Sequence, residues 1–223
     1  MGVNRVGSGI IDDDIIKEAA RQEIIRRYFR YSYEYVMGFV DKETVERAEL
    51  FIKELGLTVN NRKVVEPAHA AMKEAQKKGK GNEGIFCGAA IELKAGAIVT
   101  GQNSLLMHAA SSVVLNAIKK IAGIPDKLHL LSPSIIESIR SLKKDILNAK
   151  AVSLDLEEAL IALSISAATN PTAQLAMERL KELATCEMHM THIPTPGDEA
   201  GLRSLGVNLT CDPNFSSKNL FIG

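Results

Sequence analysis

Three places in the sequence run from an apolar segment into a knot of small polar residues and then into a helical pattern: Gly101-Gln102-Asn103-Ser104, Ser132-Pro133-Ser134 and Thr169-Asn170-Pro171-Thr172. The first N–H groups of a helix have no partner within it, so a helix start flanked by hydroxyls and amides can hold a phosphate or a carboxylate. Asn170 is a strong N-cap and Pro171 suits the first helical position, which leaves the N–H groups of Thr172 and Ala173 to point outward, with Thr169 and Gln174 beside them in the chain. Asn103 and Ser104 stand in the same relation to an earlier helix. Capping alone also accounts for these residue types. Two termini meeting at one sheet edge would make an anion pocket.

Histidine and cysteine chemistry is sparser. His108 lies near the start of a helix predicted over 104–122, on the side shared with Ser112 and Lys119. There it could polarise a substrate group, or it is a solvated or subunit-contact residue, because no partner carboxylate is visible in the sequence. Cys186, His189 and His192 are spaced three apart and are zinc-ligand types, but in a strand such positions alternate between faces. His189 is therefore read as packed or hydrogen-bonded, and no metal is assigned. His69 and His129 offer still less. Cys87, Cys186 and Cys211 are odd in number and share no C-x-x-C spacing, against a disulfide framework and in favour of a reducing, cytoplasmic setting. The candidate ligand-binding set is thus Asn103, Ser104, His108, Thr169, Asn170, Thr172, Gln174 and His189, with no catalytic residue and no cofactor assigned.

The elements that must position these residues follow from periodicity. Residues 12–38 predict a long helix with Asp12, Asp13 and Asp14 at its start and a seam of Ile16, Ala20, Ile24, Tyr28, Tyr31 and Tyr35. An Asp41-capped helix ends at Gly56, and a third spans about 61–78 with Pro67 at its start or at a kink. The run Lys77–Gly84 abandons periodicity for glycine and charge, which marks a connection. Beyond it come strands at 85–93 and 97–100 joined through Lys94-Ala95-Gly96, the helix 104–122, a strand at 128–131 and a helix at 133–148. Helices near 155–168 and 171–184, a strand at 187–193, a short helix near 198–205 and a strand at 207–210 complete the pattern. There is no internal repeat.

With 223 residues, 46% apolar and 24% charged, the composition is that of a globular protein and excludes disordered and fibrous classes. Lys plus Arg at 27 balances Asp plus Glu at 27, which argues against nucleic acid or an anionic membrane as partner. No apolar stretch has transmembrane length, and the start Met1-Gly2-Val3-Asn4-Arg5 lacks a signal pattern. The four tyrosines Tyr28, Tyr31, Tyr33 and Tyr35 interleave with Arg26, Arg27 and Arg30, a composition suited to core or subunit packing.

Several runs together carry a family resemblance: the opening Met1–Arg5, Arg21-Gln22-Glu23-Ile24-Ile25-Arg26-Arg27-Tyr28-Phe29, Asp41–Arg47, Leu209-Thr210-Cys211-Asp212-Pro213 and, above all, Ala162-Leu163-Ser164-Ile165-Ser166-Ala167-Ala168-Thr169-Asn170-Pro171-Thr172-Ala173-Gln174. The chain resembles uncharacterised protein family 0371, the domain of unknown function family 1846, a bacterial family with no established reaction. Members are longer chains with a glycine-rich, P-loop-like segment in their N-terminal half, and the resemblance covers their C-terminal region only. It implies a separate P-loop-like domain or chain as a partner. Residues 85–148 are also similar in element order to the cytidine-deaminase-like fold, but His108-Ala109-Ala110 and Pro133-Ser134-Ile135-Ile136 stand where its zinc motif would lie. Zinc-activated hydrolysis of that kind has no residues to carry it.

The expected architecture is α/β: a helical N-terminal subdomain, 1–80, followed by a three-layer α/β subdomain, 81–223. The expected role is a binding or partly catalytic module for a small anionic metabolite, phosphorylated or carboxylated, at helix N-termini. The alternative is an assembly module, a homo-oligomer or inter-domain interface whose active site lies on another chain. Mass in solution separates the two.

Overall fold

The computed structural model describes residues 13–216, so Met1–Arg5 and Asp12 lie outside the described residues. The chain divides into two compact units, Met1–Arg62 and Lys63–Gly223. Among the described residues no helix is long and apolar enough to cross a membrane.

The first unit holds α1 (Asp13–Val36), α2 (Lys42–Glu54) and a 3-10 turn at Val59–Asn61. Gly38, at φ +79°, ends the first helix, and the Asp41 carboxylate accepts from the Thr44 N–H at 2.8 Å to start the second. The buried stripe of α1 runs through Ile25, Phe29 and Ser32. That is one residue on from the expected Ile24–Tyr28–Tyr31 seam, because Ile25 and Phe29 bury more apolar surface than tyrosines whose hydroxyls need water or a partner. Tyr35, Phe39, Leu50, Phe51 and Leu55 are exposed.

The second unit begins with α3 (Val65–Lys77) and the hairpin of β1 (Gly88–Glu92) and β2 (Ile98–Gln102). It continues with α4 (Ala109–Ile121), α5 (Pro133–Ser141), α6 (Leu156–Ala167) and α7 (Pro171–Glu178), and closes with β3 (Glu187–Met190), α8 (Pro196–Ser204) and β4 (Asn208–Cys211). The sheet order is β2-β1-β3-β4, with β1 antiparallel to both neighbours and β3 parallel to β4. The unit begins at Lys63, earlier than the sequence boundary at 80/81, because α3 packs on the sheet: a Cβ on Gly88 would lie 2.2 Å from the Ala68 carbonyl oxygen.

Pairing and alternation sort the side chains into two faces. Gly88, Ala90, His189 and Thr210 face α3, and Ala68 and Val64 close over Ala90. Ala89, Gly101 and Met190 face α4, which seats so closely that a Cβ on Gly101 would lie 2.3 Å from the Val113 backbone nitrogen. Helix, sheet and helix therefore form three layers, the α/β class that the sequence predicts.

The differences from the sequence pattern have local causes. No strand forms at 128–131: Leu130 and Leu131 are buried from an irregular segment between Pro125 and Pro133, without a ladder. With it goes the hairpin, helix, strand, helix order on which the deaminase likeness rests. The helix expected at 133–148 ends at Ser141 and passes into a wider π turn, Leu142–Ile146. The helix expected from 104 begins at Ala109, because Ser104 folds residues 104–107 into a turn, its hydroxyl oxygen accepting from the N–H groups of Leu106 and Met107.

The close approach of α4 to β2 gives a direct test. Gly101→Ala should lower stability by about 1–3 kcal/mol or more, seen as a lower urea midpoint at unchanged slope. An unchanged midpoint would contradict this packing.

Candidate functional site

Short connections carry the chain from the carboxyl ends of β2 and β3 into α4 and α8, so both helices present their N-termini at one edge of the sheet. A third joins them. Met107 and Leu154 form an isolated parallel bridge, with the His108 N–H on the Leu154 carbonyl and the Leu154 N–H on the Leu106 carbonyl, each 2.9 Å, and this sets the start of α6 beside that of α4. The N-caps of the three helices are His108, Asp155 and Thr195.

They converge on one carboxylate. Asp198, 2% exposed, accepts from the first helical N–H of α6, Leu156, at 2.9 Å on Oδ1. On Oδ2 it accepts from the Thr195 hydroxyl at 2.8 Å and from His108 Nδ1 at 2.7 Å. A buried carboxylate with donors on both oxygens acts as an acceptor, so the proton on the His108–Asp198 bond belongs to Nδ1. The ring's Nε2 is then the atom left for chemistry, and His108 lines a cavity of about 90 Å³ together with Asn82, Cys87, Ser104, Ser153 and Asp198. A shallower depression of about 320 Å³ shares Asn103 and Ser104 with it and adds Lys80, Gln102 and Ser112.

The electrostatics follow from the same contacts. Burial pushes the His108 pKa down, but the hydrogen bond and charge of Asp198, with Asp155 behind it, outweigh burial and the Lys143 ammonium and hold it above its ordinary value. Burial also pushes Asp155 up, and the charges of Glu158 and Asp198 add to this against the Glu158 N–H that Asp155 caps. The Cys87 thiol is pushed up to about 12, by burial and then by Asp198. It stays a neutral thiol at physiological pH, so a cysteine nucleophile paired with His108 is not what this site offers.

Of the residues singled out in the sequence, Asn103, Ser104 and His108 line this cavity. Asn103 is occupied as a clamp, its Oδ1 accepting from the Cys87 N–H at 2.7 Å and its amide donating to the Ile85 carbonyl at 2.9 Å. Thr169, Asn170, Thr172 and Gln174 lie elsewhere, at the start of α7, where the Asn170 side chain itself takes the Thr172 and Ala173 N–H groups at 2.9 and 3.3 Å. Those donors are spent on the cap. His189 faces α3, with Nδ1 3.0 Å from the Thr210 hydroxyl, while Cys186 donates its thiol hydrogen to the Glu182 carbonyl on the way into β3. Asp198 was missed by sequence reasoning. Its one local signal is the Thr195-Pro196-Gly197-Asp198 start of a short helix, a cap pattern that says nothing of a histidine 90 residues away.

Comparison with known proteins adds the family. Residues 60–221 match the model of the domain of unknown function DUF1846, C-terminal, and residues 1–56 match its N-terminal counterpart. The chain belongs to the DUF1846 family. The break between the two family models falls just before the structural division at Arg62/Lys63. UPF0371 proteins of Clostridium botulinum (strain Alaska E43 / Type E3) and Clostridium tetani (strain Massachusetts / E88) are 50% and 48% identical over 222 and 221 residues. Each match covers 99% of this chain and 44% of the relative, so the chain spans less than half the length of these relatives.

For this DUF1846 chain, the ion pair sets a pH dependence. A raised histidine pKa stabilises the fold in full below the unfolded-state value of about 6.5, and the gain is lost as pH rises through the folded value. The stability difference between the native chain and His108→Gln should therefore shrink from mildly acid to alkaline pH. By NMR titration, His108 should have its midpoint above the ordinary histidine value, and Asp198→Asn should bring it down. A native midpoint at or below the ordinary value would contradict the pair.

Proposed function

We propose that the cavity where α4, α6 and α8 begin binds a small anionic metabolite, phosphorylated or carboxylated, with His108 as the group that donates or accepts a proton on it. The observation that carries this reading is the fixed His108–Asp198 pair: Nδ1 is committed at 2.7 Å to a buried carboxylate, and the histidine borders a cavity with hydroxyls and an amide on its walls. A carboxylate behind an imidazole sets its tautomer and favours its charged form, as an acid–base group requires. Its raised pKa favours the form that carries a proton on Nε2, a hydrogen-bond donor for a ligand oxygen.

Size supports an anionic head group rather than a whole cofactor. About 90 Å³ suits a phosphate- or carboxylate-sized group, and the neighbouring depression beside Lys80 gives the rest of a ligand a place to lie. Ser104 is shared by both spaces; its oxygen accepts two backbone N–H bonds, which leaves its hydroxyl proton for a ligand oxygen.

The test is a thermal-shift series with inorganic phosphate, sugar phosphates and short dicarboxylates. A ligand at a hundred times its Kd should stabilise the chain by about 2.7 kcal/mol, roughly 5–11 °C for a domain of this size. His108→Gln should abolish that shift. Asn170→Ala should cost about 0.5–2 kcal/mol of stability through the lost cap of α7 yet leave the ligand shift intact. A shift that survives His108→Gln and disappears in Asn170→Ala would place the ligand at α7 and overturn the proposal.

A further inference from the structure

On the other face of the sheet, three side chains from three elements bring metal-ligand atoms together. His69 stands on α3, His189 on β3 and Asp212 immediately after β4, and their donor atoms all lie within 4.8 Å of one another. His69 Nε2 is 2.6 Å from Asp212 Oδ2, His189 Nε2 is 3.3 Å from Asp212 Oδ1, and the two rings meet edge to face at 5.8 Å. We infer that His69, His189 and Asp212 form a binding site for a zinc-class divalent ion, separate from the His108 cavity and not dependent on the reading of it.

The chemistry of the donor set selects the ion. Two imidazoles and one carboxylate, with no thiolate, suit Zn²⁺ and its first-row neighbours better than Ca²⁺ or Mg²⁺, which take oxygen ligands. The outer contacts are those of a ligated histidine. The Thr210 hydroxyl donates to the Met188 carbonyl at 3.1 Å, so its oxygen receives Nδ1–H of His189 at 3.0 Å and fixes the tautomer that turns the Nε2 lone pair toward Asp212. A lone pair facing a carboxylate oxygen at 3.3 Å calls for a positive charge between them, a proton or a metal ion. A divalent ion meets that need for both histidines at once and returns the buried negative charge to balance.

Position gives access as well as enclosure. His189 is fully buried and Asp212 mostly so, whereas the His69 side chain is 34% exposed. An ion can enter on the His69 side with a small outward shift of that ring. Three protein ligands leave a coordination position open, the pattern of catalytic rather than structural zinc.

The test uses the untagged full chain with Zn²⁺ and Co²⁺ as probes. After loading and extensive dialysis the chain should retain zinc at one ion per chain by elemental analysis, and Co²⁺ titration should give visible ligand-field bands that saturate at one equivalent. His69→Ala, on the helix surface, and Asp212→Asn should each abolish the bands while circular dichroism stays native. Thr210→Val, which removes only the outer contact, should weaken Co²⁺ binding about 10–100-fold. His108→Gln should leave the bands unchanged. Absence of retained zinc and of Co²⁺ bands, bands that persist in His69→Ala, or bands lost in His108→Gln would each overturn the assignment. The first of these would leave a purely hydrogen-bonded His–Asp–His cluster.

Discussion

The buried carboxylate of Asp198 is the constraint around which the second unit is arranged. Taking a carboxylate out of water costs several kcal/mol unless donors replace the water it loses. Three elements provide them: the opening N–H of α6 through Leu156, the cap hydroxyl of α8 through Thr195, and the ring of His108 at the head of α4. Each donor stands at a helix terminus, where unpaired N–H groups and the positive end of the dipole favour a negative charge. The same bonds that make Asp198 tolerable also fix where three helices start and which nitrogen of His108 stays uncommitted. Stability and site geometry thus share one set of contacts.

That convergence needs helices that come close, and glycine allows it. A Cβ on Gly197 would lie 2.3 Å from the Asp155 carboxylate, and one on Gly201, a turn later on α8, would lie 2.8 Å from the Leu156 side chain. Gly88 and Gly101 play the same part on opposite faces of the sheet, under α3 and α4. The alanines beside them, Ala68, Ala89 and Ala90, are fully buried, so layers approach where side chains are small. The carboxyl ends of β3 and β4 hold residues from both candidate sites within a short stretch, with Met190 toward the His108 cavity and His189 and Asp212 toward α3.

Much of this was legible from local chemistry. The caps Asp41 and Asn170 and the stop at Gly38 mark helix ends because one side chain or one backbone angle decides them within three or four residues. The opposite facing of strand neighbours placed His189 with a hydrogen-bonding partner, here Thr210. The rest depends on distance in the chain. His108 shows no carboxylate nearby because its partner is 90 residues on, and His69 meets Asp212 across 143 residues. The run Leu128–Leu131 reads as a strand from its leucines, and here only Leu130 and Leu131 are buried, without a ladder. The small polar residues of Thr169–Gln174 look like a ligand cradle, yet Asn170 takes up two of the free N–H groups itself.

Asp198 holds His108 as the Nδ1–H tautomer and leaves its Nε2 uncommitted. The most direct measurement is the nitrogen-15 chemical shift of both ring nitrogens of His108, read by two-dimensional NMR on histidine-labelled protein at a pH above its titration midpoint. The structure predicts a protonated Nδ1 and a bare Nε2, and a switch in that balance when Asp198 becomes Asn. A neutral ring protonated at Nε2, or one that exchanges evenly between tautomers, would contradict the account.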